Sequence, residues 1–292
     1  MMKKILVATA LVATSMVASA QVGLSGKISM WGDNTKTGAV SASAITTEPT
    51  SNIAFSGQEK LGNGTTARVV IETSLNGNTI GGTGTQLGDR QSTVGLSSKL
   101  GSVDLGRSVH SQFLAVTNND AFGTLYGSVA GDVHNLRGLR LNNATFVTAN
   151  LGSKLSLSHN HSQDAGGATS YGAEGAVGPV KASVARYEQG SERSDVIGAR
   201  ATFGATTVFY SHSDNRGVVA NKGDLIGLAH RASVVTLKAS YGKTDTAIKA
   251  YALGADYAMS KRTEVGVAYR NVDRVAAASD VKQIGVGLTH RF

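Results

Sequence analysis

The sequence predicts an all-β protein, an antiparallel barrel of sixteen strands closed on itself and standing in a membrane, and three observations predict it. The 292 residues contain 36 Gly, 2 Pro and only 16% charged side chains, a composition too rich in glycine for a helical fold and too apolar for a disordered chain. Apolar and small residues alternate with period two through most of the chain, as half-buried strands require. The connections between the alternating segments are short and long by turns, so one end of the sheet carries turns and the other loops. With no Cys there is no disulfide framework, thiolate metal site or cysteine nucleophile.

The first segment is an export leader. Met1 to Lys4 form a basic start, Ile5 to Val17 an apolar stretch too short to span a bilayer as a helix, and Ala18-Ser19-Ala20 a small-x-small cleavage site. Residues 1–20 are therefore expected to be a signal peptide and 21–292 the barrel domain. No later segment approaches 18 consecutive apolar residues, which excludes helical membrane spans. The 28 Lys and Arg against 20 Asp and Glu are spread along the chain without basic blocks, so no nucleic-acid partner is expected.

The strands follow in order at 22–31, 51–57, 65–73, 90–98, 102–107, 141–150, 154–161, 170–177, 180–187, 194–203, 206–212, 224–231, 234–241, 249–257, 263–272 and 281–292. Alternation is clearest near the C-terminus. Tyr251, Leu253, Ala255 and Tyr257 share one face, and after a turn at Met259 to Lys261 so do Val265, Val267 and Tyr269, a hairpin pattern. Ile284, Val286, Leu288, His290 and Phe292 repeat it in the last strand. Short turns are expected at 99–101, 151–153, 178–179, 204–205, 232–233 and 258–262. Pro49 falls in the first long loop and Pro179 in a turn, where a missing backbone donor is harmless. The segment 180–187 is ambiguous, because Arg186 and Tyr187 compete for the outer face.

A sandwich of this size would put large side chains on its inner faces, yet one face here is mostly Gly, Ala, Ser and Thr while the other carries the bulk. Facing the bulk to lipid resolves this, and only a closed barrel then pairs every backbone group. A charge on the lipid face near mid-membrane would cost about 2–4 kcal/mol. Accordingly Lys27, Arg68, Glu72, Arg200, Lys238, Asp256, Glu264 and Arg270 share the face of the small residues. Trp31, Tyr241, Tyr257 and Tyr269 lie near strand ends, where an aromatic girdle meets the lipid headgroups.

The leader, the stretches FSGQEKLGNGTTARVVIE at Phe55 to Glu72, RQSTVGLSSKLGSVDLGR at Arg90 to Arg107 and LGADYAMSKRTEVGVAYRNV at Leu253 to Val272, and the ending GVGLTHRF at Gly285 to Phe292 together resemble a Gram-negative general porin, most similar to the betaproteobacterial type. The resemblance covers essentially all of 21–292. It implies an outer-membrane diffusion channel for ions and small hydrophilic solutes, usually a homotrimer surrounded by outer-membrane lipid. It also implies a third long loop, here roughly Ser108 to Leu139, folded inward to narrow the pore. The last strand would be read by the outer-membrane assembly machinery through Ile284, Val286, Leu288, His290 and Phe292. No cofactor or metal is implied.

A water-filled barrel selects solutes by the fixed charge at its narrowest point. Arginine keeps its charge near neutral pH, so Arg68, Arg90, Arg107 and Arg140, at the ends of strands flanking the inward loop, are candidates for a basic wall, with Lys27 beside them. Glu72, Asp120 and Asp132 are candidate acidic partners, and Arg200, Lys238 and Arg270 candidate lining residues. The family motifs themselves cover Arg90 and Arg107. The excess of basic residues predicts a modest anion preference.

Other signals are weaker. Gly62-x-Gly64-x-x-Ala67 imitates a dinucleotide fingerprint but leads into a strand, Arg68 to Ile71, instead of a helix. His159-x-His161 lacks a third metal ligand and fits a pair at the outer rim. Neighbours such as His110-Ser111 and Ser211-His212 point to opposite faces of a strand and form no hydrolase constellation, so no enzyme is expected. The alternatives are a barrel enzyme of the outer membrane and a closed structural or adhesive barrel.

Overall fold

The computed structural model describes residues 21–75, 86–134, 136, 138–217, 220–275 and 279–292; the expected leader lies outside them. The strands are β1 (Gln21–Thr37), β2 (Val40–Thr47), β3 (Asn52–Gly62), β4 (Thr65–Ser74), β5 (Gln91–Ser98) and β6 (Gly101–Val109), then β7 (Arg140–Leu151), β8 (Leu155–Ser162), β9 (Thr169–Val177), β10 (Val180–Gln189), β11 (Glu192–Phe203) and β12 (Thr206–Arg216). β13 (Asn221–Ala232), β14 (Val235–Thr244), β15 (Lys249–Ala258), β16 (Thr263–Asp273) and β17 (Val281–Arg291) complete the wall. Two short helices, α1 (Ser111–Thr117) and α2 (Ala130–His134), lie between β6 and β7.

Each strand from β3 onward pairs antiparallel with the next, and β17 returns to β1 through the register Lys27 to Arg291 and Thr37 to Val281, so the sheet closes. The terminal Phe292 exchanges two backbone hydrogen bonds of 3.0 Å with Gly26. β2 and β3 lie end to end along the same edge of β1, β3 on Gln21 to Lys27 and β2 on Met30 to Thr37. Together they fill one of the sixteen positions in the wall. At the break between them, Ser51 Oγ accepts from the Ser29 amide and the Glu48 amide donates to the Ser29 carbonyl, both within 3.0 Å.

The break corrects the expectation of a long loop at 32–50: β1 runs on to Thr37, turns at 38–39 and returns as β2, and Pro49 sits in the interruption. Other strands also outrun their apolar pattern; β12 extends to Arg216, and β10 and β11 are joined by residues 190–191 alone. The reason is physical. Apolar alternation marks only the part of a strand that crosses hydrocarbon, whereas the hydrogen-bonded ladder continues into the polar zone beyond it.

The bulky face points outward. Val94, Leu105, Ile197, Ile226, Leu253, Val286 and Leu288 are each at least half exposed. Cross-strand pairs such as Val184 with Ile197, Tyr241 with Tyr251 and Val267 with Val286 make a continuous apolar belt. Tyr187 turns inward and is buried, leaving Arg186 outside, which settles the ambiguity in β10. Trp31 departs from the girdle expectation. It is 6% exposed and faces inward, stacked on Tyr126 with ring centroids 4.0 Å apart.

Val116, Phe122, Val129 and Val133 of the segment between β6 and β7 are buried with Trp31, Val196, Leu225 and Val272 of the wall. α1 touches β8 to β11 and α2 touches β12 to β15, while Tyr126 reaches Trp31 on β1. A stretch of about 24 residues that meets one face of strands from β8 round to β1 can do so only from inside the ring. Burying each such aliphatic side chain contributes roughly 1.5–3 kcal/mol.

Candidate functional site

The inner glycines are where the wall receives this segment. A Cβ at Gly198 would overlap Asn119, one at Gly223 the Val133 carbonyl, one at Gly254 the Phe122 ring and one at Gly285 the Tyr126 hydroxyl. Polar wall residues then hold the segment along its length. Ser111 bonds Ser158 and Asn160 at 2.7 and 2.6 Å, Gln112 donates to Ser194 at 3.0 Å, and Asn119 donates to Ser183 at 2.8 Å. At the far end the His134 ring bridges Ser213 (2.9 Å) and Ser211 (2.8 Å), and Asn215 donates to the His134 carbonyl. At the near end His110 caps α1, accepting from the Phe113 amide, with its other ring nitrogen on the Gly138 carbonyl. Burial pushes the His134 imidazole down to about 4; His212 adds to the effect and Asp224 opposes it.

Beside α1 the inner face from β5 to β10 leaves open space. Two adjoining spaces of about 160 and 220 Å³ run past Leu114 of α1. The first is bounded by Gln91, Thr93, Asp104 and Phe146, the second by Asn118, Ser156 and Glu174, and both by Thr148 and Ser158.

Three arginines stand on neighbouring strands of this region. Arg90 precedes β5, Arg107 pairs with Ser92 on β5, and Arg140 opens β7 opposite Val109. Adjacent strands are about 4.8 Å apart, which keeps the three cations within a Debye length of one another. Arg107 is set by a bulge between Gly106 and Ser108. Gly106 has φ +129°, and a side chain there would run into the Ser92 carbonyl. Each guanidinium is fixed by backbone oxygen. Arg90 donates to Pro49, Arg107 to Asp89 and Arg140 to Arg90, all at 2.6 Å. Glu72 lies among them, 2.5 Å from Arg90 Nε, and the Asp89 carboxylate stands near Arg140 as well. The described side-chain partner of Arg107 is the neutral Asn142.

The remaining expected lining residues fall in ion pairs on the inner face. Arg68 donates to Asp104 at 2.7 Å, Lys27 lies 2.9 Å from Glu48, Arg200 3.3 Å from Glu174 and Lys238 2.6 Å from Asp256. The two acids of the inward segment do not oppose the arginines across open water. Asp120 is buried and spent on the amides of Phe122 and Thr124 and the hydroxyl of Ser128. Asp132 is held by Arg270 at 3.3 Å and Arg274 at 2.5 Å. In the last strand Ile284, Val286 and Leu288 face outward, and His290 bonds Thr263 at 2.9 Å.

Sequence reasoning passed over Asp104, Glu48, Arg274, Leu114 and His134. Asp104 was within reach of it, since Val103 and Leu105 face outward and parity turns Asp104 inward. His159 and His161 lie on the outer rim beside Tyr171, and no group of three or more metal-capable side chains forms among the described residues.

Because Trp31 is the one tryptophan and stacks on Tyr126, its fluorescence reports whether the segment is docked. Tyr126→Ala is expected to raise acrylamide quenching of Trp31 severalfold in the folded, detergent-solubilised protein. Unchanged quenching would place the stack elsewhere.

A closed barrel with an apolar belt outside and a charged, partly filled lumen defines a channel-forming protein of the outer membrane. The chain belongs to the Gram-negative porin family, whose model matches residues 7–292. The fold is similar to that of an anion-selective porin from Comamonas acidovorans (TM-score 0.82, 19% identity, covering 94% of this chain and 100% of that one). It is also similar to Salmonella typhi OmpF in complex with daunomycin (0.74, 17%, 93% and 97%) and to a mutant Rh. blastica porin (0.75, 15%, 93% and 100%). Among curated proteins none matches the sequence. The protein is an outer-membrane channel for passive diffusion, and family and fold point to a channel instead of an enzyme.

Proposed function

We propose that this channel passes ions and small hydrophilic solutes with a modest preference for anions, set where solutes pass Arg90, Arg107 and Arg140. One observation carries the reading: three guanidiniums stand among two carboxylates, Glu72 and Asp89, while the acids of the inward segment are committed elsewhere. A permanently charged cluster in a narrow aqueous space raises the local anion concentration and lowers that of cations. Lys27, Arg68, Arg200, Lys238 and Arg270 line the same lumen as paired charges and contribute less, because each has a carboxylate within 3.3 Å.

The similarity to the anion-selective Comamonas porin supports the sign of the preference. In this reading residues 1–20 are a cleaved leader, the working unit is a homotrimer in outer-membrane lipid, and Ile284, Val286, Leu288, His290 and Phe292 form the signal that the assembly machinery reads. The test is the reversal potential of the purified protein in a planar bilayer under a potassium chloride gradient. Chloride is expected to permeate faster than potassium; clear cation preference would overturn the assignment.

A further inference from the structure

The outer wall between β8 and β11 is not flush. Two contiguous apolar depressions of about 590 and 480 Å³ share Ala173 and Val184. The first lies between Tyr171 and Ile197, and the second continues past Leu155 to Val177 near the turn end of the wall. Six residues of strand separate Tyr171 from Val177, a run of about 20 Å. With the tilt of about 40° usual in such barrels, that run covers about 15 Å of depth, half of a hydrocarbon core about 30 Å thick. The groove is therefore as deep as one leaflet.

At its loop end the groove meets charge. Arg186 lines the depression and faces outward on the same row as Tyr171 and His159. Its Nε lies 2.5 Å from Asp195, which Arg193 also holds at 2.7 Å, and Glu188 stands 3.8 Å from Arg186. On the next strand Asp214 is shared by Arg216 at 3.1 Å and Lys222 at 3.8 Å. This rim carries four cations and three carboxylates. Asp195 and Asp214 are each shared between two cations, which leaves guanidinium N–H groups free to face outward. An arginine cannot shed its charge against lipid, so it must meet water or an anionic headgroup, and the planar fork suits phosphate.

We infer that this groove is a binding site for one membrane phospholipid of net negative charge, with an acyl chain lying along Ala173 and Val184 and the phosphate on Arg186. The site recognises charge at the rim and chain length along the wall, and it is separate from the lumen. The test is native mass spectrometry of the detergent-solubilised full-length protein given equal amounts of phosphatidylglycerol and phosphatidylcholine with the same acyl chains. Phosphatidylglycerol is expected to be retained about tenfold more, because both lipids offer a phosphate to Arg186 but the choline cation of phosphatidylcholine is repelled by the cationic rim.

Arg186→Gln should reduce retention to the level of phosphatidylcholine, and Ala173→Phe, which fills the groove, should remove both lipids while channel conductance persists. Should Ala173→Phe fail to fold, Val184→Trp fills the same space. Inorganic phosphate in excess should not displace the lipid, because it lacks the chain. Equal retention of the two lipids, retention unaffected by Arg186→Gln, displacement by free phosphate, or dissociation of an oligomer by Ala173→Phe, which would mean that a second copy occupies the groove, would each overturn the inference.

Discussion

Replacing Arg90, Arg107 and Arg140 together by glutamine is expected to lower the anion-to-cation permeability ratio about tenfold. A unit charge about 8 Å from a passing ion in water contributes roughly 0.5 kcal/mol, which salt screening cuts to about half and which counts once for the attracted anion and once for the repelled cation, so three removed charges change the ratio by about 1.5 kcal/mol, and about 1.4 kcal/mol is a factor of ten. Arg107→Gln alone should give about a twofold change. Arg68→Gln should give less, since Asp104 already neutralises that guanidinium at 2.7 Å. Reversal potentials of the four proteins in one salt gradient measure all of this. If the triple variant keeps the parent ratio, the cluster does not face the path of the ions. Arg140 and Arg107 also tie β7 and β6 to carbonyl groups of neighbouring residues, so circular dichroism and heat stability in detergent must accompany the conductance data.

Acid is expected to loosen the inward segment. His134 is fully buried between Ser211 and Ser213, and its pKa in place is about 4, against 6.5 for a free imidazole. The sign follows from linkage: the undocked ring takes up a proton as pH falls below 6.5, while the docked ring resists until about 4. The latch is therefore at full strength above pH 6.5 and weakens as pH drops toward 4. A displacement of this size corresponds to about 3 kcal/mol, a large share of what holds five residues of helix to a wall. Single-channel records should show rising current noise and a shift in mean conductance between pH 6.5 and 4.5, with Trp31 quenching rising in parallel. His134→Gln, which cannot titrate, should remove the pH dependence. A variant that keeps the full acid response would move the effect to another group.

The sequence conveyed the wall better than its contents. Period two is a strong signal where one face meets hydrocarbon, so the parity of Ile197, Leu253 and Val286, and the inward turn of Arg68 and Lys238, were legible. Beyond the apolar belt the constraint on side chains disappears, and there the pattern announces neither β2 nor the upper part of β12.

The small inner residues had a double meaning that composition alone does not resolve. On β5 to β8 they leave open space, whereas Gly198, Gly223, Gly254 and Gly285 make room for another part of the same chain. Trp31 illustrates the confusion. An aromatic near a strand end fits a lipid girdle, but its partner Tyr126 lies 95 positions away in a segment whose helices are too short, at seven and five residues, to announce themselves by periodicity. The sequence offers Asp120 and Asp132 as acidic partners of the arginine wall because it shows charge and not the hydrogen bonds that consume it.

Since the chain has no native cysteine, single cysteines can be placed at will. The decisive measurement is the reactivity of Thr148→Cys, Ser158→Cys, Ile197→Cys and Val286→Cys toward a charged, membrane-impermeant thiol reagent in the bilayer-inserted protein. Thr148→Cys and Ser158→Cys should react quickly and cut the conductance as they do so, while Ile197→Cys and Val286→Cys stay unmodified. Rapid labelling of the latter two, with Thr148→Cys and Ser158→Cys protected, would mean that the wall is inside out and that no aqueous path runs past Leu114.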